Sequence, residues 1–98
     1  MTSGPYSIGS DHWPGLAKLA EEAGELIQVI GKIIAMGGTD VHWDGTTSLR
    51  ARLMEEMGDV TAAVDFLVEQ NAFRPMDLQA RHDQKLSMYR QWQREHSA

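Results

Sequence analysis

The chain has 98 residues, of which 42% are hydrophobic and 23% charged, and its formal net charge is −5. This composition is typical of a soluble globular protein with one small domain. The acidic balance argues against a nucleic-acid partner, because binding to a phosphate backbone depends on an excess of Lys and Arg. The absence of cysteine excludes disulfides, thiolate catalysis and cysteine-ligated zinc.

Neither a targeting segment nor a membrane partner is expected. The first ten residues, MTSGPYSIGS, have no basic start and no apolar run, so they are not typical of a signal peptide. Nowhere does the sequence contain the run of about 18 apolar residues that a membrane span requires. We therefore expect a cytoplasmic protein.

The N-terminal part is predicted to be an arm followed by a helix. Residues 1–10 are rich in Gly, Ser and Pro and are predicted to form a flexible N-terminal arm, with a helical domain over 11–98. A first helix is expected to start within residues 11–15, with Asp11 as a candidate cap. Its apolar residues recur at helical spacing, and Gly37-Gly38 ends it.

The rest of the chain is predicted to be helical as well. Residues 38–48 form a loop, at whose end Thr47 or Ser48 can cap a second helix over residues 49–70. A third, more polar helix, DLQARHDQKLSMYRQWQRE, follows Pro75. No segment alternates as a strand does. The predicted fold is all-α, with long antiparallel helices in a four-helix-bundle-type core that oligomerisation completes, because one core in so short a chain is marginal.

Two stretches place carboxylates inside an apolar helical pattern: KLAEEAGELIQVI at 18–30 and RLMEEMGDVTAAV at 52–64. At about 100° per residue, each helix directs two acids, three residues apart, at or beside its apolar face. These four residues are Glu22, Glu25, Glu56 and Asp59. Glu21 falls outside the apolar arc.

A buried ionised carboxylate is strongly destabilising unless it is protonated, paired with Lys or Arg, or bound to a metal. Arg52, one turn before Glu56, makes pairing an alternative. Two matching acid pairs on consecutive helices favour a metal site. Oxygen ligands without His or Cys favour Mg²⁺, with Mn²⁺ as the alternative, and Mg²⁺ commonly binds substrate phosphates.

The motif E-E-x-x-E at 21–25, followed about thirty residues later by E-x-x-D at 56–59, resembles the MazG-like all-α NTP pyrophosphohydrolases. The phrase LMEEMGDVTAAVDFL is especially similar to the second motif of that family, and the resemblance covers roughly residues 12–92. It implies that the four acids are Mg²⁺ ligands. It also implies that an NTP or dNTP is cleaved between its α and β phosphates, in nucleotide-pool cleaning or control, by a homodimer or homotetramer.

Further residues are candidates for water activation or phosphate binding, either because of their position on the helices or because of the family resemblance. Glu21 is the candidate for activating the attacking water or for holding a further metal. Lys32 lies two turns beyond Glu25, and Arg50 opens the second helix. Basic residues that the family often carries late in the chain are matched by Lys85 and Arg90, so the candidate phosphate contacts are Lys32, Arg50, Lys85 and Arg90.

Two tryptophans, Trp13 and Trp43, are candidates for stacking on a nucleotide base. Their alternative role is to pack helix ends or a subunit interface. For the chain as a whole, the alternative to an enzyme is a non-catalytic helical bundle whose acids bind metal or pair with Arg. A di-iron site is disfavoured, because neither cluster contains the Glu-x-x-His of such bundles.

Overall fold

The computed structural model describes residues 4–42 and 44–97, and this part of the chain is helical apart from turns and loops. An isolated bridge between Val41 and Ser48 is its only β-type pairing. The all-α prediction is therefore confirmed for the described residues, and no helix among them is both long and apolar enough to cross a bilayer. The helices are α1 (Leu16–Ala35), α2 (Leu49–Gln70) and α3 (Pro75–His96).

The first helix begins at Leu16, at the end of the interval predicted for its start, and the prediction of Asp11 as its cap is wrong. Gly15 is the N-cap, with a φ of 90° and no side-chain hydrogen bond to the helix end. A Cβ atom at this position would lie 2.7 Å from Cδ2 of Phe66 on α2. Only glycine combines this backbone conformation with so close an approach. Trp13 also has a positive φ, of 50°, so the chain before Gly15 follows a turn rather than a helix.

The caps of the other two helices follow from local chemistry. Ser48 Oγ accepts a hydrogen bond from the backbone N–H of Ala51 at 3.1 Å, which confirms Ser48 as the cap of α2. The Thr47 hydroxyl instead donates to Asp44 at 2.6 Å. Pro75 occupies the first turn of α3. Backbone N–H groups in a first turn make no hydrogen bond within the helix, so the missing N–H of proline is tolerated there.

The core lies between α1 and α2, which pack against each other along their lengths. Its buried apolar side chains are Val29, Leu49 and Ala63. The start of α1 meets the end of α2, where Asn71 Nδ2 donates to the carbonyl of Pro14 at 3.0 Å. The two helices are therefore antiparallel, and the middle of one faces the middle of the other.

The third helix stands apart, and the chain is flat. Helix α3 has no buried residue and does not pack along α1 or α2. The dimensions are 47 × 36 × 15 Å, and the radius of gyration is 16.8 Å, against about 13 Å for a compact domain of this length. The accessible surface of 7490 Å² exceeds by about 1,900 Å² the value typical of a folded monomer of this mass. One chain thus supplies a helix pair and a separate helix.

Replacing the cap residue Ser48 with alanine should lower the free energy of unfolding by about 1 kcal/mol, because the N–H of Ala51 loses its acceptor. Urea unfolding followed by circular dichroism, at constant protein concentration, measures the change. Ser87→Ala, at an exposed position of α3, is the matched control and should stay within about 0.5 kcal/mol of the parent. Equal losses in the two variants would contradict the capping role.

Candidate metal centre

Four carboxylates meet midway along the α1–α2 pair. Each residue offers one oxygen, and these four atoms all lie within 4.8 Å of one another. The i, i+3 spacing puts two acids on one side of each helix, and the antiparallel packing sets the two pairs opposite each other. The residues brought together are Glu22, Glu25, Glu56 and Asp59, the four that the apolar pattern singled out. Their role as metal ligands stays a prediction.

The cluster is partly withdrawn from water. Glu56 is only 6% exposed, Glu22 and Glu25 are half-buried, and Asp59 is exposed. The Oε2 atoms of Glu22 and Glu56 are buried and have no hydrogen-bond donor within the described part of the chain. Because an unpaired buried carboxylate oxygen is strongly destabilising, these two atoms require a cation or a proton.

A basic residue lies one turn before the central glutamate of each helix. Arg52 Nη2 is 3.4 Å from Glu56 Oε1, and Lys18 Nζ is 3.9 Å from Glu22 Oε1. Lys18 also donates to Glu21 Oε2 at 3.2 Å, and this hydrogen bond raises the pKa of the lysine. Both cations approach Oε1 atoms, so ion pairing leaves the buried Oε2 atoms without partners.

The carboxylates repel one another. The negative charge of Glu22 is the largest cause that raises the pKa of Glu25 above its usual value of 4.5, followed by burial and by the charges of Glu56 and Glu21. A divalent cation would turn this repulsion into attraction. Clustered oxygen donors without nitrogen or sulfur suit a hard cation such as Mg²⁺ or Mn²⁺. The residues present therefore fit a metal ion.

The other predicted site residues of α1 and α2 take different positions around the cluster. Glu21 is exposed and outside the group of four, next to Glu22 and bonded to Lys18. Lys32 lines a cavity further along the helix pair. Arg50 is exposed in the first turn of α2.

Three of the remaining candidates are not gathered at the cluster within the described part of one chain. Lys85 and Arg90 belong to α3, which packs along neither of the other helices. Trp13 lies beside Phe73, with 6.0 Å between the ring centroids. Trp43 falls outside the described residues.

Two cavities adjoin the cluster, and the sequence reasoning missed both. The apolar cavity, about 440 Å³, is lined by Ile8, Lys18, Glu22, Asp59, Ala62, Ala63 and Phe66. The basic cavity, about 160 Å³, is lined by Val29, Lys32, His42, Asp44, Thr47, Leu49 and Arg52. The shared spacing of Lys18 and Arg52, each four residues before a central glutamate, was a signal for two of these residues. Ile8 gave no such signal.

No protein-family model matches the chain, and neither a curated protein nor a solved structure is detectably similar to it. The resemblance to the MazG-like enzymes therefore rests on the two acidic motifs. Function has to be inferred from the cluster and from the cavities beside it.

The raised pKa of Glu25 predicts a specific pH dependence for the metal-free protein. The folded state binds more protons than the unfolded state just above pH 4.5, so this group's contribution to stability falls as the pH rises through that window. Thermal unfolding in EDTA between pH 4.5 and 7 should show this loss. Glu25→Gln should remove it, and identical pH profiles for the two proteins would contradict the prediction.

Proposed function

We propose that this protein is a Mg²⁺-dependent nucleoside triphosphate pyrophosphohydrolase of the MazG-like type, with Mn²⁺ as the alternative metal. It would convert an NTP or dNTP and water to the monophosphate and pyrophosphate, in nucleotide-pool cleaning or control. The observation that supports this most directly is the convergence of the four carboxylates, two of which have buried oxygens without a partner.

The reaction requires an anionic substrate to approach an anionic site. Water forms a bond to the α phosphorus, the bond from that phosphorus to the bridging oxygen breaks, and pyrophosphate leaves. When bound, the cation neutralises phosphate charge and stabilises the charge that develops in the transition state. The helix pair holds the carboxylates in place, because Glu56 is buried between the helices and Glu22 is half-buried.

Protein side chains supply the remaining chemistry in this proposal. Glu21, exposed beside the cluster, accepts the proton of the attacking water. Lys18 orients that carboxylate through the 3.2 Å hydrogen bond. Lys32 and Arg52 contribute positive charge for the phosphates from the basic cavity.

We further propose that the active form is a homodimer or homotetramer in which helices of neighbouring chains complete four-helix bundles. The thickness of 15 Å is little more than that of one helix with its side chains, about 10–12 Å. The surplus surface of one chain is of the size that stable subunit interfaces bury. Large apolar side chains are exposed on all three helices, among them Ile27, Ile34, Met54, Met57 and Met76.

Oligomerisation would also account for the predicted residues that one chain leaves apart. Beyond its first turn, helix α3 has no helix packed along it within the described part of its own chain. Packed against the α1–α2 pair of a second chain, it would bring Lys85 and Arg90 toward that chain's substrate. Trp13, Trp43 and Arg50 remain candidate substrate contacts.

The alternative is a non-catalytic helical bundle in which the acids bind a metal or pair with basic residues to fix the helices. The ion pairs of Glu22 with Lys18 and of Glu56 with Arg52 favour it in part. They are long, at 3.9 and 3.4 Å, and they engage only Oε1 of each glutamate. Ion pairing alone therefore leaves the buried Oε2 atoms without a partner.

Replacing Glu56 with alanine should leave a folded protein whose turnover rate is lower than that of the parent by a factor on the order of 100 or more, because a metal ligand is lost. The assay incubates a panel of NTPs and dNTPs with and without Mg²⁺ and separates the products. Glu55→Ala, an exposed neighbour on the same helix, is the matched control and should retain activity.

Three results would contradict the proposal. Diphosphate and phosphate as products would place the cleavage at a different bond. The absence of any turnover by the parent protein across the panel would favour the structural alternative. Unfolding of Glu56→Ala at ordinary temperature would do the same, since breaking a structural buried pair is strongly destabilising.

Light scattering at micromolar concentration should report a mass of two or four times the 11.0 kDa of one chain. The physical reason is the exposed apolar surface on all three helices of a flat chain. A monomer at that concentration would contradict the proposed assembly.

A further inference from the structure

The two cavities lie on either side of the acidic cluster along the α1–α2 pair. The apolar cavity includes Lys18 from the first half of α1, and the basic cavity includes Lys32 from the second half. These two residues are separated along the helix axis by about 21 Å at 1.5 Å per residue. The cluster residues Glu22 and Glu25 lie between them in the sequence. A ligand that crosses the cluster along the helices would therefore reach a different cavity at each end.

The first cavity suits a flat, weakly polar group. Its volume of about 440 Å³ is within the range of small-molecule sites, about 300–1,000 Å³. Its lining combines the ring of Phe66, the aliphatic side chain of Ile8 and two alanines. An aromatic ring and apolar walls are the surfaces on which a nucleobase stacks. Two cluster acids, Glu22 and Asp59, form part of the wall, so a group bound here touches the metal centre.

The second cavity suits a compact anion. It is smaller, about 160 Å³, and its lining carries nitrogen donors on Lys32, Arg52 and His42. Arg52 also contacts Glu56 Oε1 at 3.4 Å, so this cavity borders the cluster from the other side. Charge-assisted hydrogen bonds from lysine and arginine are the usual means of holding phosphate oxygens.

The single acid of this lining, Asp44, is already engaged. Its carboxylate accepts hydrogen bonds from the amides of Thr46 and Thr47 and from the Thr47 hydroxyl, at 2.6–2.9 Å. These bonds hold the pKa of Asp44 far below its usual range. His42 lies 3.7 Å from the same carboxylate. Asp44 therefore stays ionised, its oxygens held by donors of its own loop, while Lys32 and Arg52 supply two positive charges to the same wall.

We propose that the substrate lies along the α1–α2 pair with its nucleoside in the apolar cavity and its β and γ phosphates in the basic cavity. This inference rests on the proposed function, and it adds the direction in which the substrate binds. The bond between the α and β phosphates then lies over the four carboxylates. Pyrophosphate departs into the cavity of Lys32, Arg52 and His42, and the monophosphate remains on the side of Phe66.

The orientation is tested by measuring the two products separately. Isothermal titration calorimetry in Mg²⁺ gives the affinity for inorganic pyrophosphate and for a panel of common nucleoside monophosphates. Lys32→Gln should weaken pyrophosphate binding about tenfold, because one charge-assisted contact is lost, and leave the monophosphate within about twofold. Arg81→Gln removes a charge from an exposed position of α3 and should leave both affinities unchanged.

A second variant tests the other cavity. Ala62→Leu adds apolar bulk to the wall of the apolar cavity at an exposed helical position, where leucine is a good helix former. It should weaken monophosphate binding about tenfold, since the added side chain occupies space that the nucleoside needs. Pyrophosphate affinity should stay unchanged, so each variant serves as the control for the other.

The outcomes separate this inference from the proposed function. The orientation would be overturned if Lys32→Gln weakened monophosphate binding and Ala62→Leu weakened pyrophosphate binding. It would also be overturned if each variant affected both products equally. The same holds if either product failed to bind the parent protein. Hydrolysis to monophosphate and pyrophosphate without the expected binding pattern would overturn the orientation and keep the enzyme. The binding pattern without hydrolysis would keep the orientation and overturn the enzyme.

Discussion

Mutual repulsion among four carboxylates, held between two packed helices, is the constraint on which the structure depends. Glu22, Glu25, Glu56 and Asp59 approach one another within 4.8 Å, and the negative charge of Glu22, followed by burial and by the charge of Glu56, raises the pKa of Glu25. The chain compensates in part with Lys18 and Arg52, whose positions mirror each other across the antiparallel pair. The compensation stops short of the two buried Oε2 atoms. A site that is left electrostatically incomplete in this way is suited to binding a cation rather than to stabilising the fold by itself.

Much of this arrangement is predictable from the sequence, because helical periodicity is local. The bounds of α2 and its Ser48 cap follow from residues within one turn of the helix end. The four cluster acids follow from their positions relative to the apolar stripe, which requires only the helix repeat. The cap residue of α1 did not follow, because Gly15 packs closely against Phe66, which is distant in the sequence. The cavities were missed for the same reason, since Ile8 and Phe66 meet only in the folded chain.

The flat shape leaves apolar surface uncovered, and this surface needs burial just as the clustered carboxylates need positive charge. A single chain buries few apolar side chains, so the carboxylates are held by a helix pair that is itself only half covered. In the proposed oligomer, association of the chains would both complete the apolar core and exclude water from the acids. Desolvation strengthens the attraction between the carboxylates and a cation. Assembly and cation affinity would then be thermodynamically linked, each increasing the other.

The contact between Gly15 and Phe66 has a consequence for how this chain tolerates sequence change. Together with the Asn71–Pro14 hydrogen bond, this contact sets the axial register of α1 against α2. A shift of one residue, about 1.5 Å, would move one acid pair out of line with the other. Gly15, which lies outside the acidic cluster, thus sets the alignment of the two acid pairs. Sequence change at this junction would separate the four carboxylates while both acidic motifs remained intact, so the motifs alone do not guarantee that the cluster forms.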